Sequence, residues 1–386
     1  MLQIKNLTLY LKRDLRTLIE DFSFSPGPDN QKIALIGEEG NGKSSLLKTI
    51  YNPDLVRSYL EIKGEIQKAD EVIGYLPQQM PPELSAIPAA KLLHREIPWD
   101  YFDFSRYYKL AAKLALDPQV IEENRALAEL SGGEKIKFFL LKELMKEPTL
   151  LLLDEPSNDL DLESLIMLER FISECDIPVI FVSHDERLLA RCSDTVIHFE
   201  QLIHKSRAVH SIASLNYEDY VRRRDAAIEK QTQMAKQERD AYEKKMRRYR
   251  ELYNKVNSHL NKVSRQDPSA GKNLKDKMRQ VKSQGRRYER EKEEMTQKPV
   301  TEDPIDISFD EDIYLDNKRE VLSLRLPELR AGSNVLSRNV KLDIRGPEKI
   351  CIIGRNGCGK TTLLKRAAPE LRKNNINYAC MPQNYD

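Results

Sequence analysis

The sequence predicts an α/β protein made of two related parts joined by a long antiparallel helical hairpin. The first observation behind this is an internal repeat. Residues 32–48, KIALIGEEGNGKSSLLK, recur at 349–365 as KICIIGRNGCGKTTLLK, identical at 10 of 17 positions. Each copy reads as an apolar, β-branched strand, a glycine-rich loop and a helix start, and one repeat at this separation means two copies of a domain rather than a solenoid. The second observation is the alternation after the first copy. Residues 150–153 (LLLL) and 179–182 (VIFV) read as buried parallel strands, with a helix over 162–174 between them. The third is the character of residues 217–298, which hold almost no Gly or Pro and many Lys, Arg, Glu and Gln. These divide the chain into a first α/β domain over 1–212, a hairpin over 213–300 and the beginning of a second α/β domain over 301–386.

Within the hairpin segment, Tyr242, Met246, Tyr249, Tyr253, Val256, Leu260 and Val263 follow alternating spacings of four and three, one apolar seam on a helix. The seam resumes at Leu274, Met278, Val281, Tyr288 and Met295, interrupted by Gly285 and Lys292, and Pro268 and Gly271 are expected to supply the turn. Pro299 and Pro304 punctuate the passage to the second domain.

Charge is distributed unevenly. The net charge is +2, yet residues 221–298 hold 24 Lys+Arg against 12 Asp+Glu, leaving 39 against 49 elsewhere. A basic segment between acidic domains implies a polyanionic partner. No apolar run approaches the roughly 18 residues a membrane span needs, and MLQIKNLTLYLKRD alternates like a strand rather than a signal peptide. The five cysteines form no CxxC pair, against metal ribbons and disulfide frameworks. The expected compartment is the cytoplasm.

Three motifs carry chemistry. Gly37 to Ser44 fits GxxxxGK[ST] in the required strand-to-helix setting. Gly37, Gly40 and Gly42 let backbone N–H groups reach phosphate oxygens, with Asn41 between them. Lys43 supplies a positive charge to the β- and γ-phosphates, and Ser44, followed by Ser45, offers a hydroxyl to Mg²⁺. The second copy supplies Gly354, Asn356, Gly357, Gly359, Lys360, Thr361 and Thr362 in the same places, with Thr361 the Mg²⁺-ligating hydroxyl. LLLLDE (150–155) is a strand ending in two carboxylates: Asp154 to hold the Mg²⁺ shell and Glu155 to polarise an attacking water. LSGGE (130–134) opens a helix, so Ser131, Gly132 and Gly133 present free N–H groups and a hydroxyl to an anion.

The order of these motifs, with Gln78 in YLPQ, SNDLD at 157–161 and SHD at 183–185, resembles an ATP-binding cassette over nearly all of residues 1–200. That resemblance implies that Gln78 senses Mg²⁺ and the attacking water, that Asp161 sits in the loop touching the opposite cassette, and that His184 contacts the γ-phosphate. Tyr10 is a candidate to stack on adenine or a core tyrosine. Two cassettes in one chain, joined by a basic hairpin without membrane spans, resemble the ABC-F family of ribosome-binding ATPases. The implied partner is the ribosome, its rRNA and tRNA, contacted by Lys262, Arg265, Lys272, Lys275, Lys277, Arg279, Lys282, Arg286 and Arg287 through phosphate charge. A general translation factor and an antibiotic-resistance factor fit equally. The alternative is a soluble ATPase subunit of an importer, which needs a membrane partner and no basic hairpin. One departure from the family stands out: Glu38 and Glu39 lie where the second copy carries Arg355 and Asn356.

The sequence ends three residues after Gln383, the second copy's counterpart of Gln78, so the second cassette is expected to be partial. The resemblance implies that each site is assembled from one cassette's phosphate loop and the other's LSGGE. Neither is then complete within one chain, which favours a homodimer in which two first cassettes cover each other.

Overall fold

The structure is a computed structural model of the full chain. It describes residues 2–27, 31–69, 71–158, 160–262, 268–293, 295–296, 298–299, 316–332, 334–374 and 376–381. Two compact units emerge: Met1–Tyr217 together with Asp303–Asp386, and Glu218–Glu302.

The first unit opens with β1 (Leu2–Leu11), β2 (Thr17–Phe24), β3 (Lys32–Ile36), α1 (Lys43–Tyr51), β4 (Leu60–Lys68) and β5 (Ile73–Leu76). A helical stretch follows, comprising α2 (Ala89–Glu96), α3 (Phe104–Lys113), α4 (Gln119–Glu122) and α5 (Gly132–Leu144). The chain then alternates through β6 (Leu150–Asp154), α6 (Leu162–Ser173), β7 (Val179–Val182), α7 (Glu186–Cys192), β8 (Thr195–Gln201), α8 (Leu202–Lys205) and β9 (Arg207–Ala213). β1 lies between β2 and β4 in a small antiparallel sheet, and the larger sheet has the order β5-β6-β7-β3-β8-β9. That sheet is parallel except for β9, which runs antiparallel to β8. The strands and helix read from residues 150–182 are therefore present, within a residue of their expected limits.

Why β6 is apolar from Leu150 to Leu153 follows from its neighbours. Side chains alternate across a strand. Leu151 and Leu153 join the cluster of the helical layer with Phe138 and Phe181, while Leu150 and Leu152 join the cluster of the antiparallel sheet with Leu7, Ile33 and Phe199. A strand covered on both faces needs apolar residues on both. β3, at the centre, is pinned at its start: Asp194 Oδ2 accepts the N–H groups of Gln31 (3.0 Å) and Lys32 (2.8 Å). The Lys32 ammonium donates to the carbonyls of Cys175 (2.6 Å) and Ile177 (3.0 Å).

The second unit is the hairpin, α9 (Tyr217–Lys262) and α10 (Pro268–Glu293), which runs antiparallel. Val256, Met278 and Val281 are buried between them with Tyr249, Tyr253 and Leu260 alongside, and Lys245 pairs with Glu291 at 2.9 Å. These residues are the expected seam. Two details differ from the sequence reading. α10 starts at Pro268 and runs through Gly271, because proline is suited to the first turn of a helix, where its missing N–H costs nothing. Residues 263–267, including Val263 and Arg265, lie outside the described residues, as does Pro304. Gly285 completes the seam rather than breaking it: Tyr249 Oη lies 2.6 Å from where a Cβ on residue 285 would stand, so the glycine makes room for the ring.

The repeat's second copy contributes β10 (Glu320–Ala331) and β11 (Asn334–Arg345), paired as a hairpin, and α11 (Lys360–Lys373). Residues 350–353 were expected as a strand and take no strand pairing. In the first copy, β3 is held between β7 and β8. No strand among the described residues flanks 350–353, so a segment of the same apolar character stays unpaired, with Ile350 45% exposed where Ile33 is 0%. The contrast predicts unequal costs. Ile33→Ala should destabilise the protein by about 2–5 kcal/mol, whereas Ile350→Ala should stay within about 0.5 kcal/mol, read by denaturant unfolding of the two variants.

Candidate functional site

The C-terminal edge of a parallel sheet at its centre is where α/β folds bind ligands, and β3 delivers the first glycine loop there. Gly37, Gly40 and Gly42 have φ of 138°, 81° and 91°, conformations that cost other residues strain. A Cβ on Gly37 would overlap the carbonyl oxygen of Phe199. Asn41, buried, donates its side-chain amide to that same oxygen at 3.0 Å. Lys43 turns back over the loop and donates to the carbonyls of Gly37 (2.6 Å) and Glu38 (2.8 Å). α1 begins at Lys43, which sets Ser44 and Ser45 in its first turn.

Ser44 Oγ donates to Asp154 Oδ1 at 2.8 Å, and Tyr75 Oη donates to Oδ2 at 3.4 Å. Glu155, next in line, has φ 49° and its Oε1 lies 3.2 Å from His184 Nε2. Its Oε2 is buried with no hydrogen-bond partner. Burial raises both carboxyl groups above their ordinary values, against the pull of the Ser44 hydroxyl on Asp154 and of His184 and Lys43 on Glu155. Gln78 is exposed in a bend just after β5, the neighbour of β6. Tyr10, half-buried in β1, has the Lys63 ammonium 4.8 Å from its ring centre.

The second loop repeats the first. Gly357 and Gly359 have φ of 77° and 102°, and Lys360 donates to the carbonyls of Gly354 (2.7 Å) and Arg355 (2.9 Å). Thr361 and Thr362 follow in α11. Gln383 lies outside the described residues. Facing this loop is a surface of the first repeat. Ser131 caps α5, with its Oγ accepting the N–H of Glu134 while the Glu134 carboxylate accepts the N–H of Ser131. Gly133 packs so closely on Ser164 of α6 that a Cβ would collide with its hydroxyl. Asp161 caps α6, accepting Ser164 N–H on Oδ1 (2.9 Å) and Asn356 N–H on Oδ2 (3.0 Å). Arg355 reaches Glu163 at 2.7 Å. An open cleft of about 670 Å³ is lined by Gly132, Leu160–Leu162 and residues of the second loop, among them Gly354, Asn356 and Lys360.

The structure thus groups Lys43, Ser44, Asp154, Glu155 and His184 in one place and Gly132, Lys360, Thr361 and Thr362 in another. The basic residues Lys272, Lys275, Lys277, Arg279, Lys282, Arg286 and Arg287 are exposed along α10, in the other unit. Lys262 ends α9, and its side chain lies outside the description. Sequence reasoning missed Phe199, Tyr75 and Glu163. No motif marks Phe199, since only its backbone acts, whereas Glu163 could have been found as the acidic first turn after Asp161.

A glycine loop on a central strand, with lysine, hydroxyl and paired carboxylates converging on it, defines a nucleoside-triphosphate-binding fold. Residues 20–158 match the family described as ABC transporter, so this part of the chain is an ATP-binding-cassette domain. Over most of its length the chain is related to ABC-F proteins. It is 27% identical to ABC transporter F family member 5 of Arabidopsis thaliana, over 87% of this chain and 45% of that protein. It is 28% identical to the ribosome protection protein VmlR of Bacillus subtilis, over 86% of this chain and 55% of that protein. The chain spans about half the length of these curated relatives. A nucleotide-free ATP-binding cassette from an ABC transporter aligns with 15% identity and a TM-score of 0.45, over 57% of this chain and 93% of that one. Among the described residues, no helix is long and apolar enough to cross a membrane.

The two buried carboxylates make a pH prediction. Their folded-state pKa values lie above the unfolded ones, so their contribution to stability is fully present below the unfolded value, about 4, and is lost as pH rises through the folded value. Glu155→Gln should therefore raise the melting temperature of the ligand-free protein at neutral pH. The gain should shrink to nothing at about pH 4, and a gain independent of pH would contradict the burial argument.

Proposed function

We propose that the chain is an ATP-binding and ATP-hydrolysing protein of the ABC-F type that acts on the ribosome, with the hairpin as its RNA contact. The observation that carries the ATPase reading is the convergence of Lys43, Ser44, Asp154, Glu155 and His184 at the end of the central strands. In this reading, Lys43 leaves the carbonyls of Gly37 and Glu38 for the β- and γ-phosphates. The backbone N–H groups of the glycine loop and the first turn of α1 receive the phosphate oxygens. The residues fit Mg²⁺. Ser44 Oγ and Asp154 Oδ1 are already together, and a buried carboxylate with a raised pKa is a group that a cation would relieve. Mg²⁺ would be held by Ser44 and Asp154, beside Gln78, and would neutralise phosphate charge.

Glu155 is the general base. Its partnerless Oε2 accepts a proton from water as that water's oxygen attacks the γ-phosphorus, the bond to the β–γ bridging oxygen breaks, and ADP and phosphate leave. His184, whose Nε2 lies 3.2 Å from Oε1, orients Glu155 and contacts the γ-phosphate. Tyr10 would offer its ring to the adenine. At the second loop, Lys360, Thr361 and Thr362 take the phosphates while the N-terminus of α5, with Ser131, Gly132 and Gly133, covers them from the opposite side. The cytoplasm is the compartment this function requires.

The ribosome reading is supported by the charge of the hairpin, by the exposed cations of α10 and by the name of the relative VmlR. Phosphate contacts dominate affinity for RNA and weaken with salt.

Two measurements test this. Glu155→Gln should retain binding of a fluorescent ATP analogue while slowing phosphate release by about two orders of magnitude or more, and unchanged turnover refutes the base. Replacing Lys272, Lys275, Lys277 and Arg279 with Gln should weaken co-sedimentation with ribosomes and flatten its salt dependence. A quadruple variant that pellets like the parent removes the hairpin as the contact.

A further inference from the structure

We infer that the two phosphate loops carry opposite charge signatures that decide which of them the α5–α6 face accepts. The Arg355-Asn356 loop of the same chain is admitted, and the Glu38-Glu39 loop of a second copy is rejected. The inference rests on the reading that a phosphate loop and the α5–α6 face build one nucleotide site.

The face presents two carboxylates to whatever lies on it, Asp161 and Glu163. Asp161 is tied to Ser164 N–H through one oxygen and takes the N–H of Asn356 with the other, and Glu163 takes the Arg355 guanidinium at 2.7 Å. Burial works against the Asp161 charge, but the N–H groups of Asn356 and Ser164 outweigh it and keep the carboxyl below its usual value, with the Lys137 charge helping. Asp161 therefore meets the loop as a carboxylate, and beside it Glu163 holds the Arg355 guanidinium in an ion pair.

The two loops have the same backbone shape. Gly40 and Gly357 have φ of 81° and 77°, Gly42 and Gly359 have 91° and 102°, and each lysine folds onto the same two carbonyls of its own loop. Laid in the second loop's place, the first loop would set Glu38 where Arg355 stands, against Glu163, and Glu39 where Asn356 stands, against Asp161. The backbone N–H offered to Asp161 would survive the exchange, so shape does not discriminate between the loops; charge does. Like charges brought together at an interface suppress the wrong partner. Arg355 and Glu163 side chains are 76% and 63% exposed, so the selection is modest and is screened by salt. This opposes the homodimer of first cassettes that the parts of the sequence favour, and it matches the first loop instead to a covering surface that carries Lys or Arg two residues after its aspartate cap.

The test is sedimentation velocity of the full chain across a dilution series, at about 0.05 M and about 0.5 M salt, with and without ATP. Glu163→Arg turns away the chain's own Arg355 and welcomes Glu38 of another copy. It should self-associate about five- to tenfold more tightly than the parent at low salt. Adding Glu38→Arg, or instead Arg355→Glu, should return it to the parent's behaviour. The double variant Glu38→Arg/Arg355→Glu exchanges the signatures without touching the face, and it should self-associate as Glu163→Arg does. This gives a second, independent reading should Glu163→Arg fail to fold. Association of Glu163→Arg no stronger than the parent's, or indifferent to Glu38→Arg, overturns the inference. Binding of a fluorescent ATP analogue is measured in parallel. Loss of binding in the parent contradicts the nucleotide site, whereas binding with no charge order among the variants contradicts only the selection.

Discussion

One carbonyl oxygen, that of Phe199, organises the first nucleotide loop from 158 residues away. It receives the Asn41 amide and stands so near Gly37 that no side chain fits there. It can do this only because β8 pairs with β3, Leu35 beside Ile197 and Ile36 beside His198. The position of Asn41 fixes where α1 begins, hence where Lys43 and Ser44 stand, hence the 2.8 Å contact from Ser44 to Asp154 on β6. Sheet order and site geometry are thus one constraint. A polar side chain buried beside a backbone carbonyl must find it or lose the strength of a hydrogen bond.

The second loop separates what the glycines do from what the sheet does. Cys358 stands in the place of Asn41, and no strand among the described residues flanks 350–353. The lysine nevertheless makes the same pair of bonds to the same two carbonyls. Positive φ at Gly357 and Gly359 is enough to curl the loop. Anchoring is the part that comes from neighbouring strands, and here its place is taken by Asp161 and Glu163 across the cavity.

What could be read from the sequence divides along the same line. Local chemistry was legible: the runs LLLL and VIFV became β6 and β7, and the four-three spacing of Tyr249, Tyr253 and Val256 became the hairpin's buried seam. The loops, the carboxylate pair and the start of α5 at LSGGE were legible for the same reason, since residue type and spacing carry them. What depends on a partner distant in sequence was not. Apolar residues 350–353 have the composition of a strand and stay unpaired for want of flanking strands, and Phe199 acts through a backbone atom that every residue possesses. Gly285 looked like an interruption because its value lies in what it lets Tyr249 do from the opposite helix.

That glycine gives the hairpin a catch. Tyr249 lies over residue 285, and sliding one helix past the other by a turn would bring the ring onto a residue with a side chain, so the two arms hold one register. From Gly285 to the start of α10 at Pro268 is a fixed helical length, about 25 Å at 1.5 Å per residue. The hairpin therefore behaves as a ruler. The start of α10 stands at a set distance from the catch, and a change in that distance requires residues to be added or removed between Pro268 and Gly285, in step with those of α9.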